Sequence, residues 1–587
     1  MTNKSTRKIG TLMLGLGIFL VATSVAHGQT AALPPVPHQL PLAQNPKVSP
    51  ELSAGGAPST VSVIVQYRHH VTGQQHQMVA ALGGALRRQL NSANGGAYMM
   101  PAKALATLAN NPEVAYISPD RQVSRMLDNT TAAVNASVAW STYGLSGAGV
   151  GVAVIDSGIS SHPDLGKRIV YSQDFVGTGT GDQYGHGEHV AGIIAGNGAS
   201  SQCSGCSRNL QGVAPGVNLI NLRVLDQNGN GTDSQVIAAI DQAIALKDTY
   251  NIRVINLSVG RSVFESYTQD PLCQAVEAAW QAGIVVVVAA GNDGRDNSAG
   301  TDGYGTIFAP GNDPYVITVG AMKADSASNR AGDTIASYSS KGPTVVDQVV
   351  KPDIVAPGNL VVSLLASPSD TLASTYPADS VPLSYYGQTG QGNSPAYFQL
   401  SGTSMAAPVV SGAAALLIQQ NPNITPDQVK ALMMLTAYKT FPQSSSVVDP
   451  TTGITYTDYY DCFTIGAGYL DIGAALSFTG SLPSGTALSP TAQYDAETNT
   501  LTVTPAPSAI WGSPSVWTGT SVWSAASLWG QASLWGQASL WGQASLWGQA
   551  SLWGQASLWG QASLWGQASL WAQQTIGSQA VLNKGEK

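Results

Sequence analysis

The chain has 587 residues and a formal net charge of -8, and only 10% of its residues are charged. With so little positive charge and no basic stripe, a nucleic-acid partner is excluded, because that role needs a concentrated basic face. The length exceeds what one core usually serves, and 64 glycines with a mean hydropathy of +0.04 suit a compact, loop-rich α/β protein of several domains.

Residues 1–26 read as an export signal. Lys4, Arg7 and Lys8 precede an apolar run over residues 9–25, and Ser24-Val25-Ala26 puts small residues where a signal peptidase cuts. The run is barely long enough for a retained anchor, and no later segment is apolar for long enough to span a bilayer. A secreted protein, extracellular or at the cell surface, is therefore expected. Residues 27–58, rich in Pro, Gln, Ala and Ser, read as a linker.

From residue 59 to 125 the texture becomes that of a small α+β domain. Val61, Val63 and Val65 alternate with polar residues as in a half-buried strand, and residues 78–90 read as an amphipathic helix. A strand at 97–100, a helix at 102–109 and a strand at 114–117 complete a strand–helix–strand–helix–strand unit.

Residues 130–480 alternate short apolar strands (150–155, 218–224, 254–258, 285–289, 316–319) with helices (234–246 and 272–282). A first helix is expected at 132–140. Apolar strands alternating with helices imply a three-layer α/β domain with a mainly parallel sheet, whose active site lies beyond the carboxyl ends of the strands. Of the four cysteines, Cys203 and Cys206 sit in one loop that suits a small disulfide better than a zinc site. Cys273, at a helix start, reads as a buried free thiol rather than a partner for Cys462.

Residues 481–510 read as a linker containing a Thr-rich, strand-like stretch at 500–504. Over 511–587 a tandem repeat follows: a Trp recurs every six residues from Trp511 to Trp571, and Ser-Leu-Trp-Gly-Gln-Ala appears unchanged seven times. A period of six keeps every Trp on one side of an extended chain but spreads it over three faces of a helix, so short strands are the better structural reading. Aligned indole faces suit stacking on polysaccharide, on a cell surface or on one another. A recently copied repeat without a partner fits equally well.

Three motifs carry chemistry. Residues 152–158 form an apolar strand ending in Asp156-Ser157-Gly158. In Gly185-His186-Gly187-Glu188-His189 a histidine stands where a glycine-flanked turn enters a helix. Gly402-Thr403-Ser404-Met405-Ala406-Ala407-Pro408 puts a serine at a helix start, where the dipole favours developing negative charge. Alone, each residue has a plainer reading, as a turn former, a half of a His-x-x-His metal pair lacking its third ligand, or an N-cap. Together they supply what serine-based peptide hydrolysis needs: a nucleophile, a base, and a carboxylate that fixes the base's tautomer.

These motifs closely resemble those of the subtilase family of serine proteases, in the chain order Asp, His, Ser. The resemblance implies that Asp156, His186 and Ser404 form a catalytic triad. Ala289-Ala290-Gly291-Asn292 resembles the family's oxyanion motif, which makes Asn292 the side-chain donor to the tetrahedral intermediate. Leu257, Ser258, Val259 and Gly260 are similar to the strand that binds substrate backbone and walls the S1 pocket, with Ala290 and Gly291 opposite. Matching residues 306–311 to the family's corresponding loop puts Phe308 at the pocket floor. One departure stands out: Glu188 replaces the family's usual threonine, and a carboxylate there is expected to favour the charged imidazole and shift the pH dependence.

Residues 59–125 resemble the family's inhibitory propeptide, most clearly over 111–120, which implies an intramolecular inhibitor removed by self-cleavage just after 120–128. No cofactor is required for the chemistry. Structural calcium is common in the family, but the loop carboxylates Asp226, Asp233, Asp293, Asp296 and Asp302 lack a recognised ligand spacing, so no metal ligand is assigned. Protein and peptide substrates are expected. The competing reading is a surface-binding or adhesion protein in which the Trp repeat dominates, but an intact triad and oxyanion asparagine argue for an active endopeptidase. A narrow processing protease would need acidic pocket residues for basic substrates, and none stands beside 257–260 or 289–292.

Overall fold

The computed structural model describes residues 45–49, 52, 59–90, 94–119, 129–298, 300–325, 330–387, 391–449, 452–482, 484–495, 500–506 and 576–578. The signal segment, residues 120–128 and the Trp repeat lie outside them. The chain divides into two units, Met1–Ser124 and Arg125–Lys587.

In the first unit, β1 (Thr60–Tyr67), α1 (Gly73–Ala81), β2 (Ala85–Leu90), β3 (Gly95–Pro101), α2 (Leu105–Ala109) and β4 (Val114–Pro119) form an antiparallel sheet of order β2-β3-β1-β4. The alternation of β1 is as expected, with Val61, Val63 and Val65 facing a core that includes Tyr98, Leu105, Leu108 and Ile117. The helix expected over 78–90 is corrected. It starts earlier, where Thr72 and Gln75 close a capping box, and ends at Ala81. Gly83, at φ 81°, and Gly84 break it: a Cβ at Gly84 would meet Val79 Cγ1 at 2.4 Å, so the chain turns and residues 85–90 become a strand.

The second unit opens with α3 (Asn129–Ala133) and α4 (Ala136–Ser141), where one helix was expected; Asn135, at φ 57°, separates them. There follow β5 (Gly151–Asp156), β6 (Ile169–Asp174), α5 (His186–Ala195), β7 (Asn218–Arg223), β8 (Asn230–Gly231), α6 (Asp233–Ala245), α7 (Lys247–Tyr250), β9 (Ile252–Leu257), β10 (Val259–Gly260), α8 (Pro271–Gln281), β11 (Val285–Ala289) and β12 (Ile317–Lys323). The later elements are β13 (Thr334–Ile335), β14 (Ile354–Pro357), β15 (Val361–Leu364), α9 (Thr371–Thr375), β16 (Ser380–Pro382), β17 (Asn393–Leu400), α10 (Thr403–Gln420), α11 (Pro426–Thr436), β18 (Ser444–Val448), β19 (Thr455–Tyr459), α12 (Ile472–Leu476), β20 (Thr491–Asp495), β21 (Thr500–Thr504) and β22 (Ile576–Ser578).

The main sheet runs β13-β12-β11-β9-β5-β7-β6, with β14 also on β12; every pair is parallel except β12–β13. Strands β5 and β11 are buried along their whole length, which is why they read as unbroken apolar runs. Helices α5 and α10 pack together on the sheet, and α6 and α8 pack together on β5, β9 and β11, giving the expected three-layer α/β architecture. The chain leaves β5 toward β7 and β6, then crosses to β9 on its other side. The carboxyl ends of β5 and β9 thus flank a topological switch point, where such sheets bind ligands.

The stretch read as a linker is in part folded. Strands β20 and β21 form a hairpin, Val350 N donates to Pro490 O at 2.8 Å, and Ala492 packs with Val350, Cys462 and Phe463. Cys203 and Cys206 form a disulfide; Cys273 and Cys462 are free and buried. Among the described residues, no helix is long and apolar enough to cross a membrane.

Candidate active site

Asp156 is the last residue of β5, and its side chain is buried there. Its Oδ1 accepts from His186 Nδ1 and from the Ser157 amide, each at 2.7 Å. A carboxylate only accepts, so Nδ1 carries a ring proton, and in the neutral imidazole Nε2 is then the nitrogen with the lone pair. His186 begins α5 after Gly185, whose φ is 105° and where a Cβ would come within 2.7 Å of the Asp370 carboxyl.

A second buried carboxyl holds the two motifs together. Asp182 accepts the amides of Tyr184, Gly185 and Glu188 and the Ser157 hydroxyl, at 2.7–3.0 Å, and Ser157 Oγ accepts the Gly187 amide at 2.8 Å. Burial raises Asp182 to about 6. Glu188 is also buried, accepts the Ser160 amide at 2.5 Å, and is pushed well above the usual carboxyl range by its desolvation. Its hydrogen bond from the Ser160 amide gives Glu188 a structural role, tying the start of α5 to the loop after β5. His189 points elsewhere, its Nε2 3.1 Å from Val361 O, and burial lowers it to about 3. A neutral ring there donates from Nε2, so the His-x-x-His pair does not converge. Among the described residues, no three His, Cys, Asp or Glu side chains gather to hold a metal. Of the loop carboxylates considered for calcium, Asp226 accepts two local amides and Asp233 pairs with Arg261.

Ser404 is the second residue of α10, after Gly402 at φ 152°. Its hydroxyl donates to Ser258 O at 3.3 Å, while His186 Nε2 makes no hydrogen bond among the described residues. Asn292 follows β11 and Gly291. Its Oδ1 accepts the Thr403 amide at 2.9 Å and lies 3.2 Å from Thr403 Oγ1. A backbone amide can only donate, so the carboxamide is fixed with Oδ1 toward Thr403 and Nδ2 on the other branch.

The substrate-binding candidates are neighbours. Leu257 ends β9 with its side chain fully buried in the core, so only its backbone is left for substrate. Ser258 donates to Ser404 O at 2.9 Å, and Val259 and Gly260 form β10. Ala290 O accepts the Phe308 amide at 3.0 Å. Gly291 has φ 110°, and a Cβ there would lie 3.0 Å from Phe308 Cδ1, so the half-buried ring rests against Gly291. Arg261 and Ala309 exchange backbone hydrogen bonds at 3.0 and 2.8 Å, which ties the 258–260 edge to the Phe308 segment. Sequence reasoning missed Ser157, Asp182, Thr403 and β8. The first three look like ordinary turn and cap residues, and β8 is two residues long.

The subtilase family model matches residues 147–458. Serine protease AprX of Bacillus subtilis (strain 168) is 37% identical over 387 residues, 64% of this chain and 82% of that protein. Subtilisin E of the same strain is 33% identical over 370 residues, 62% of this chain and 81% of that protein. The extracellular serine proteinase of Thermus sp. (strain Rt41A) is 33% identical over 384 residues, 62% and 76%. A three-layer α/β domain with a buried Asp–His pair and a serine at a helix start defines a serine-type endopeptidase. The chain belongs to the subtilase family.

Proposed function

We propose that the protein is a secreted endopeptidase in which Ser404 attacks the scissile carbonyl, His186 takes its proton, and Asp156 fixes the imidazole and stabilises its charged form. The observation that carries this reading is the 2.7 Å bond between Asp156 Oδ1 and His186 Nδ1, which leaves Nε2 as the acceptor. The Ser404 hydroxyl must swing from Ser258 O to Nε2, an adjustment usual before substrate binds. As the tetrahedral oxyanion forms, Asn292 Nδ2 donates to it; His186 then gives its proton to the leaving amine as the C–N bond breaks, and in the second half it takes a proton from the attacking water and returns it to Ser404 as the acyl-enzyme is hydrolysed. The 258–260 edge takes the substrate backbone, Ala290 and Gly291 face it, and Phe308 floors S1.

The finer parts of the reading rest on sequence. The n-region, apolar run and small residues at 24–26 support export. The resemblance of residues 59–125 to an inhibitory propeptide supports self-cleavage after 120–128. The Trp repeat is proposed as a contact for polysaccharide or cell surface through its indole faces. Purified Ser404→Ala should neither hydrolyse casein nor react with a serine-directed phosphonate, and it should keep its N-terminal unit. Hydrolysis by that variant would overturn the mechanism. Trimming near 121–132 with no other protease present would overturn self-processing.

A further inference from the structure

Strand β22 lies far along the chain from the elements it joins. It is the middle strand of a three-stranded sheet of order β10-β22-β8. Ser578 and Gly577 stand opposite Val259 and Gly260, and Gly577 and Ile576 stand opposite Asn230 and Gly231, antiparallel on both sides. The segment therefore fills the slot between two edges, one of which is the 258–260 edge assigned above to substrate backbone. Its direction matters too. Antiparallel to β10, the chain runs from Ile576 to Ser578 as β10 is read from Gly260 back to Val259. The residue before Val259 is Ser258, whose carbonyl accepts the Ser404 hydroxyl. The carboxyl end of β22 is thus the end nearer Ser404, which is how the acyl side of a substrate must enter. Gly577 and Gly260 face each other with no side chain on either, so the backbones pair without steric demand.

We propose that the C-terminal segment around Ile576–Ser578 is a tethered ligand of this chain's own substrate cleft and competes with substrate by strand addition. The proposal rests on the substrate-edge reading given under Proposed function. A three-residue strand binds weakly by itself, but the covalent tether makes its binding intramolecular, at an effective concentration set by the length of the chain between β21 and β22. Competition at that level raises the apparent KM and leaves kcat alone.

The test compares the full chain with a variant ending at residue 574 and with Gly577→Pro, which removes the amide at the centre of the strand. Active enzyme is counted by phosphonate titration, and mass spectrometry checks that the tail is intact during the assay. For a short peptide substrate, both variants should show KM lowered about two- to tenfold with kcat unchanged. A synthetic peptide spanning 573–581, added to the truncated variant, should inhibit competitively. An unchanged KM in both variants, or no competition from the peptide, overturns the proposal. Failure of the mechanism itself would appear differently, as absence of phosphonate labelling in every form.

Discussion

The Ser258 hydroxyl donates to the carbonyl of Ser404 at 2.9 Å, the very acceptor that Pro408, four residues further along α10, has no N–H to reach. The helix thereby carries a proline one turn after Ser404 without leaving a buried acceptor bare. Asn256 Nδ2 donates to the Ser258 hydroxyl at 3.0 Å, and Asn256 Oδ1 accepts from the Ser411 hydroxyl at 2.8 Å. Ser258→Ala should destabilise the protein by about 1–3 kcal/mol, the usual cost of an unsatisfied buried group. Pro408→Ala in the same chain restores a donor and should recover part of that loss. Denaturant unfolding of the four forms of the cycle checks it: additive effects would mean that the two residues do not share this carbonyl.

Asn292 is oriented by Thr403 before any substrate arrives. Removing an oxyanion-hole donor from a subtilisin costs about 10²–10³ in turnover, so if Asn292 has the proposed role, Asn292→Leu should lose kcat on the same order with KM little changed. Thr403→Val keeps the orienting amide and should cost much less. Steady-state kinetics on one peptide substrate separates the two, and a large rise in KM for Asn292→Leu would point to ground-state binding instead.

The ring of Phe308 rests against Gly291, and in the proposed S1 pocket it would occupy space that a large P1 side chain needs. Overfilling a packed site typically costs about 1–3 kcal/mol, enough to favour Ala, Val or Leu over Phe or Tyr at P1 by about tenfold or more. Phe308→Gly should widen the preference. A peptide series differing only at P1 decides it, and turnover of the Phe peptide at or above the Leu peptide refutes it.

Acid and alkaline limits of stability should trace to neighbours on one helix. His189 is lowered from 6.5 to about 3, so between these values the unfolded chain binds a proton that the folded one does not, and stability falls as pH drops through the window. Glu188 is shifted the opposite way by burial: the folded form keeps its proton above 4.5, and stability falls as pH rises through the raised value. Glu188→Gln, which cannot ionise, should raise Tm more at pH 8 than at pH 5. His189→Asn should flatten the loss between pH 6 and pH 4. Calorimetry across the range checks both, and a Tm gain for Glu188→Gln that is equal at both pH values would exclude the titration.

What the sequence made legible follows from burial. Strands β5, β9 and β11 are covered on both faces, so each reads as an apolar run, and each ends where a motif residue is needed. Strand β6, with its alternating exposure at the sheet edge, carries no such run and so gives no comparable signal. The Gly83-Gly84 break was visible but outweighed by helical spacing on either side. Asp182 escaped notice because its partners are backbone amides, which leave no pattern in side-chain identity. The Thr403–Asn292 bond is hidden for the same reason. The tail strand β22 joins segments separated by hundreds of residues, and nothing in its own three residues announces that pairing.

Beyond the family's matched span, Ser489 reaches into the catalytic domain. Its hydroxyl lies 2.5 Å from Asp353 Oδ1 and 2.9 Å from Lys430 Nζ, in a buried cluster where Asp353 also binds Lys351 at 2.7 Å. Burial pulls Lys430 down to about 7, so its charge depends on the company it keeps. An engineer wishing to replace the repeat with another module therefore has a natural graft point after Thr504 and not at the end of the family match. A splice upstream of Ser489 would remove the hydroxyl that Asp353 and Lys430 share in this buried cluster.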